Sequence, residues 1–89
     1  MFYVYVLKSV SRNYIYVGLT DCLQRRIDQH QGGKEKTTRP YRPFELIFFE
    51  SFATRQEARG CEKYLKSGSG KEYIRNVICA GGETADALP

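Results

Sequence analysis

The first oddity of this 89-residue chain is a carboxylate on what should be the buried face of a helix. Over residues 54–66 the apolar stripe falls at Ala58, Cys61, Glu62 and Leu65, the i, i+3, i+4, i+7 spacing of a core-facing helix. Glu62 thus takes a place the pattern reserves for a hydrophobe. A lone buried carboxylate is costly, so Glu62 either bends to solvent or a lysine, or it holds a cation. A helix over 22–31 repeats the anomaly: Leu23, Arg26, Ile27 and His30 share the same spacing, whereas Arg25 is an ordinary solvated arginine. The planar donor fork of Arg26 fits phosphate oxygens. A lone histidine such as His30 is as a rule a satisfied surface residue and gains catalytic weight only in company. The tyrosines are the third feature, seven of them with no tryptophan. Tyr5 and Tyr16 fall on matching phases of a hairpin. Aromatic cross-strand pairing is the ordinary explanation and suffices for Tyr3 and Tyr14. Gly18 weakens a strand unless something must approach the backbone closely, and beside Tyr16 it leaves a shallow notch. Together these residues offer an arginine for phosphate charge, a carboxylate for a cation, and hydroxyls and an imidazole for protons. Metal-assisted phosphodiester hydrolysis needs those parts.

The elements that must position them are legible from pattern. Residues 2–8 (Phe-Tyr-Val-Tyr-Val-Leu-Lys) and 14–19 (Tyr-Ile-Tyr-Val-Gly-Leu) are aromatic and β-branched, and the short polar link between them makes an antiparallel hairpin. Thr20 or Asp21 is placed to cap the helix over 22–31, which Gly32-Gly33 ends. The loop 34–43 carries Lys34, Lys36, Arg39 and Arg42 against Glu35 alone. A third strand over 44–52 is the most apolar stretch and is expected at the centre of the sheet. Thr54-Arg55-Gln56-Glu57 is a capping box opening a helix to Lys66. Ser67-Gly68-Ser69-Gly70 is expected to break it, with a last helix over 71–79. The predicted fold is α/β of the α+β kind: a small three-stranded sheet flanked by helices, in the order ββαβαα. Residues 1–80 form its one domain, and 81–89, opened by Gly81-Gly82, a flexible tail.

Composition narrows the class. A content of 42% hydrophobic and 27% charged residues is that of a folded domain. No run approaches the roughly 18 apolar residues of a membrane helix, and no basic segment or cleavage site frames residues 2–7 as a signal peptide. The expected location is the cytoplasm. Cys22, Cys61 and Cys79 form no paired motif, so neither a disulfide framework nor a zinc site is suggested; Cys61 and Cys79 read as small apolar residues on helix faces. The net charge is +4, and residues 1–75 hold 14 basic against 8 acidic residues, a balance of +6. A basic body suits a polyanion, although solubility alone would also explain it.

Tyr3-Val4-Tyr5 and Tyr16-Val17-Gly18 resemble the paired triplets that name the GIY-YIG nuclease superfamily. Residues 16–30 resemble its YIG-x-T-x-x-x-x-x-R-x-x-x-H segment, with Glu62 in a downstream helix where that family places a metal-binding glutamate. The likeness spans residues 2–76 and is strongest to small stand-alone bacterial members. The fold also resembles the incision domain of the bacterial excision-repair endonuclease and the catalytic domain of intron homing endonucleases. The resemblance implies a DNA endonuclease, of a kind used in DNA repair, in which Glu62 binds a single Mg²⁺ or Mn²⁺ and Arg26 stabilises charge on the scissile phosphate. It also implies that Tyr16 assists deprotonation of water, that Tyr5 and His30 support it by hydrogen bonds, and that Gly18 lets substrate come close. A tyrosine hydroxyl, with an ordinary pKa of about 10, serves as a base only when a neighbouring cation lowers it. The first triplet lacks the initial glycine, and Asn76 is the candidate for the family's late asparagine. Lys34, Lys36, Arg39 and Arg42 read either as a backbone clamp or as a solvated loop. The implied partner is nucleic acid, DNA ahead of RNA. Phosphate contacts carry no sequence information, which leaves specificity to a protein partner. The alternatives are a non-catalytic nucleic-acid-binding module on the same fold and a structural domain whose tyrosines are only packing.

Overall fold

A computed structural model describes residues 1–78, with side chains to Asn76. The elements run β1 (Phe2–Ser9), β2 (Ile15–Thr20), α1 (Leu23–Gln31), β3 (Phe44–Phe52), α2 (Arg55–Lys66) and α3 (Gly68–Tyr73). A 3₁₀ turn at Arg39–Tyr41 precedes β3, and a π-helical turn at Ile74–Ile78 continues α3. The α+β class and the order ββαβαα are those the sequence implies. Cys79 and the expected tail at 81–89 lie outside the described residues. No helix among those described is long and apolar enough to cross a membrane.

The sheet order is β2-β1-β3, antiparallel throughout, so β1 is central and β3 is not. Apolar content misleads here because the centre is decided by cover on both faces. Val4, Tyr5, Val6 and Leu7 are all buried, whereas Phe49 of β3 is 53% exposed. Val4 and Val6 pack with Val17, Ala58, Leu65 and Ile74 beneath α2 and α3. Tyr5 and Leu7 pack with Phe44, Tyr16, Leu23 and Ile27 on the α1 side. The chain is therefore layered helix, sheet, helix, and the alternation of side chains along β1 divides its residues between two cores. A register shift between Val6 and Leu7 puts an extra residue into β3, and Ile47 and Phe48 both join the α2 side.

Helix termini also depart from expectation in detail. Neither Thr20 nor Asp21 caps α1. Thr20 is still paired in β2, and its hydroxyl closes a turn on Cys22, accepting from the Cys22 N–H at 3.0 Å and donating to its carbonyl at 3.2 Å. Asp21 pairs with Arg25 at 3.0 Å, and Cys22 is the N-cap residue. Gly33, at φ +77°, ends the turn after α1 as a glycine can. Thr54 caps α2 by accepting from Glu57 N–H at 3.2 Å, but the Glu57 carboxylate accepts from the Thr54 hydroxyl rather than from a backbone N–H. The Ser-Gly-Ser-Gly stretch breaks α2 yet also forms the first turn of α3, with the Ser67 hydroxyl accepting from Gly70 N–H at 3.2 Å. Glycine is required at 70 because a β-carbon there would run into the backbone of Tyr64 and Leu65.

Candidate active site

Period-2 alternation sends Tyr5 to the α1 side of the sheet, where the last turn of α1 delivers His30 to meet it. Both are fully buried. The Tyr5 hydroxyl lies 3.1 Å from His30 Nε2, and His30 Nδ1 lies 2.8 Å from Thr38 Oγ1, itself buried. The Thr38 hydroxyl donates to the Glu35 carbonyl at 3.5 Å. With the neutral ring protonated at Nδ1, Thr38 accepts from Nδ1–H and Nε2 accepts from the Tyr5 hydroxyl, an arrangement that leaves the Thr38 proton for the Glu35 carbonyl. Burial, and then the neighbouring Arg26, hold His30 below its ordinary value, with Glu35 opposing. The imidazole is neutral, as this chain of bonds requires. Burial also pushes the Tyr5 phenol up, although Arg26 beside it pulls the other way, so Tyr5 keeps its proton.

Arg26 lies one helical turn before His30 on the same face of α1. Burial disfavours its charge, but the Tyr5 hydroxyl, and after it Tyr16, more than reverse this, so the arginine stands above its usual value. One arm donates to Gln29 Oε1 at 2.7 Å, and another lies 3.7 Å from Glu35 Oε2. The ring of Tyr16 stands 4.8 Å from His30 and 6.2 Å from Tyr5, centroid to centroid. Gly18 pairs with Tyr5 across the hairpin. The space a β-carbon would take is filled by the end of the Tyr5 ring, so the expected notch is occupied by the protein itself. Glu62 approaches from α2, on the opposite layer. Its side chain is only 15% exposed, and its carboxylate lies 3.1 Å from Lys66 Nζ, one turn on. Tyr5, Tyr16, Arg26 and His30 form one cluster, whereas Glu62 lies on α2, paired with Lys66.

The GIY-YIG catalytic domain, as a family, matches residues 1–75. The chain belongs to the GIY-YIG family. It is 41% identical over 71 residues to the UPF0213 protein YazA of Bacillus subtilis, covering 79% of this chain and 71% of that protein. To a UPF0213 protein of Bacillus pumilus it is 42% identical over 79 residues, covering 84% and 80%. A UPF0213 protein of Bacillus halodurans, solved by NMR in solution, is similar at a TM-score of 0.57 and 33% identity, over 99% of this chain and 97% of that one.

The GIY-YIG superfamily is one of nucleases, which makes nucleic acid the implied partner and a divalent metal the usual cofactor. Among the described residues no three histidine, cysteine or acidic side chains gather as a metal cage. Mg²⁺, however, keeps much of its water and takes one or two carboxylates plus substrate phosphates. A mostly buried carboxylate whose partner is an exposed lysine suits that mode, and Glu62 is such a group. The loop residues divide. All four are exposed, but Arg39 is tied to the loop, donating from Nε to the Gly33 carbonyl at 2.7 Å, and Arg42 lies over Gly33. Asn76 is exposed in the π-helical turn after α3. Thr38 and Glu35 escaped the sequence reading, since a loop has no periodicity to say which residues point inward.

Proposed function

We propose that this GIY-YIG chain is a divalent-metal-dependent endonuclease that hydrolyses DNA phosphodiester bonds, acting in the cytoplasm. The supporting observation is the convergence of Arg26, Tyr16 and the Tyr5–His30 pair on one face, with the mostly buried carboxylate of Glu62 offered by α2. Glu62 would hold the metal, Mg²⁺ or Mn²⁺, whose chemistry is to polarise a phosphoryl oxygen and offset charge at the reacting phosphate. Arg26 binds the scissile phosphate with its donor fork and stabilises the charge that develops there. To do so it exchanges Glu35 for a phosphate oxygen. Tyr5 is engaged with His30, which leaves Tyr16, half-buried at the rim, as the side chain that orients the attacking water and, as its phenolate, takes the water's proton. His30 holds Tyr5, and through it the Arg26 side of the site, in one arrangement.

The test is cleavage of a panel of labelled DNA structures (duplex, flap, junction, single strand) with Mg²⁺ or Mn²⁺, wild type beside Glu62→Gln. Cleavage by wild type alone is expected, with DNA affinity unchanged in the variant. Wild-type turnover by Glu62→Gln would remove the metal role. DNA binding without cleavage by either protein would favour the non-catalytic binding module.

A further inference from the structure

The open edge of the sheet carries a second feature beside these residues. Where β2 begins, a cleft of about 260 Å³ separates it from α3, with Asn13, Ile15, Val17, Lys71, Ile74 and Arg75 among its walls. Resting on the endonuclease reading, we infer that this cleft binds one nucleotide of the substrate strand next to the scissile phosphate, its base unstacked into the cleft and its phosphate held by Lys71 and Arg75.

Three observations carry this. The first is position. Among the described residues β2 is unpaired on its outer side, and α2, which carries Glu62, packs on the face of the sheet opposite Tyr16. The short way between Glu62 and Tyr16 runs over the β2 edge, because Tyr16 lies on β2 itself and the other open edge, β3, is two strands away. Ile15 and Val17 flank Tyr16 in sequence, one step of about 3.3 Å away along β2. The second is chemistry. Val17 and Ile74 are core residues and give a fixed apolar floor, while Lys71 and Arg75 stand at the rim. Among the described residues neither basic side chain has an ion-pair partner and no carboxylate lines the cleft. An apolar slot rimmed by cations matches a base with its phosphate better than a bare anion. Asn13 offers both a donor and an acceptor, which any base edge can use, so little sequence preference is expected. The third is size. The volume falls below the roughly 300–1,000 Å³ of drug-sized pockets and suits a single nucleoside. Because a base inside a duplex cannot enter, the substrate is single-stranded or frayed at this position.

The experiment measures binding without cleavage. A labelled thymidine oligonucleotide and a blunt duplex of equal length are titrated in EDTA with the full chain and two double variants, by fluorescence anisotropy. Lys71→Ala/Arg75→Ala alters the cleft; Arg55→Ala/Arg59→Ala removes equal charge from the exposed start of α2. The first double variant is expected to weaken single-strand binding about tenfold and to make the salt slope shallower by about 1.4, for two lost contacts. The duplex should lose less, and the α2 control should behave as wild type. Unchanged affinity, or an equal loss in the control, overturns the site. Equal losses on single strand and duplex overturn the base-holding role. Since no cleavage is required, a protein that binds through the cleft yet never cuts would overturn the endonuclease reading alone.

Discussion

At the scale of single residues, the site is a small set of groups with different reasons for their protonation states. Arg26 is held charged by the hydroxyls of Tyr5 and Tyr16 against the pull of burial. If it stabilises the transition state, Arg26→Ala should lower the cleavage rate by about 10²–10³, as removal of comparable donors does. Lysine should restore little, since it lacks the fork. A loss confined to affinity, seen in single-turnover rates at saturating DNA, would make Arg26 a positioning residue. His30 provides a second check, by pH. Its folded pKa lies below the unfolded value, so on acidification the unfolded chain takes up the proton first. Folding stability should therefore fall as pH drops from about 6.5 toward the lowered folded value, and flatten below it. Urea midpoints of wild type and His30→Gln across that window would show this as an acid slope present only in wild type. Parallel curves for the two proteins would mean that His30 is not held neutral by its surroundings.

At the scale of elements, what the sequence revealed followed the strength of local signals. Alternation and helical spacing located both hairpin strands, α1 and α2, and the same spacing exposed Glu62, Arg26 and His30 as polar residues on apolar faces. The centre of the sheet was not legible, because Phe44–Phe52 and Phe2–Ser9 are both apolar and only tertiary cover separates them. Nor was the role of Gly18, whose missing side chain reads equally as room for a substrate or room for Tyr5. Thr38 meets His30 Nδ1 from a loop, where nothing in the sequence announces an inward hydroxyl. The glycines of 67–70 misled in the opposite direction, reading as a break where they also begin a helix. Gly70→Ala tests why. Its β-carbon would meet the backbone of Tyr64 and Leu65, which cannot yield as a flexible side chain would. The variant should lose about 1–3 kcal/mol by overpacking, read from urea unfolding, in spite of alanine's better helix propensity. A gain in stability would show that α3 can move off α2 at little cost.

At the scale of the whole molecule, size limits how many phosphates can be engaged at once. The described chain measures 30 × 29 × 23 Å, so a nucleic acid passing over its β2 side meets only a few of its cations. Arg26 and the pair Lys71 and Arg75 belong to the proposed track, and the exposed Lys34 and Lys36 of the loop bring the count to about four or five. With four contacts, the slope of log affinity against log salt should be about −3.6 on duplex and about −2.8 on single strand. Between 50 and 200 mM salt, affinity should then fall about 150-fold for duplex and about 50-fold for single strand. The two slopes separate a general basic surface from an edge that prefers an unpaired strand. If Lys71 and Arg75 reach phosphate only where the strand is open, duplex gives up those two contacts and its slope should fall to about −1.8, shallower than the single-strand value of about −2.8. A duplex slope steeper than about −6 would need more cations than this side offers and would mean that two copies of the chain bind one site. A slope near −1 would leave Arg26 as the sole phosphate contact, and the basic balance of residues 1–75 would then serve solubility rather than substrate.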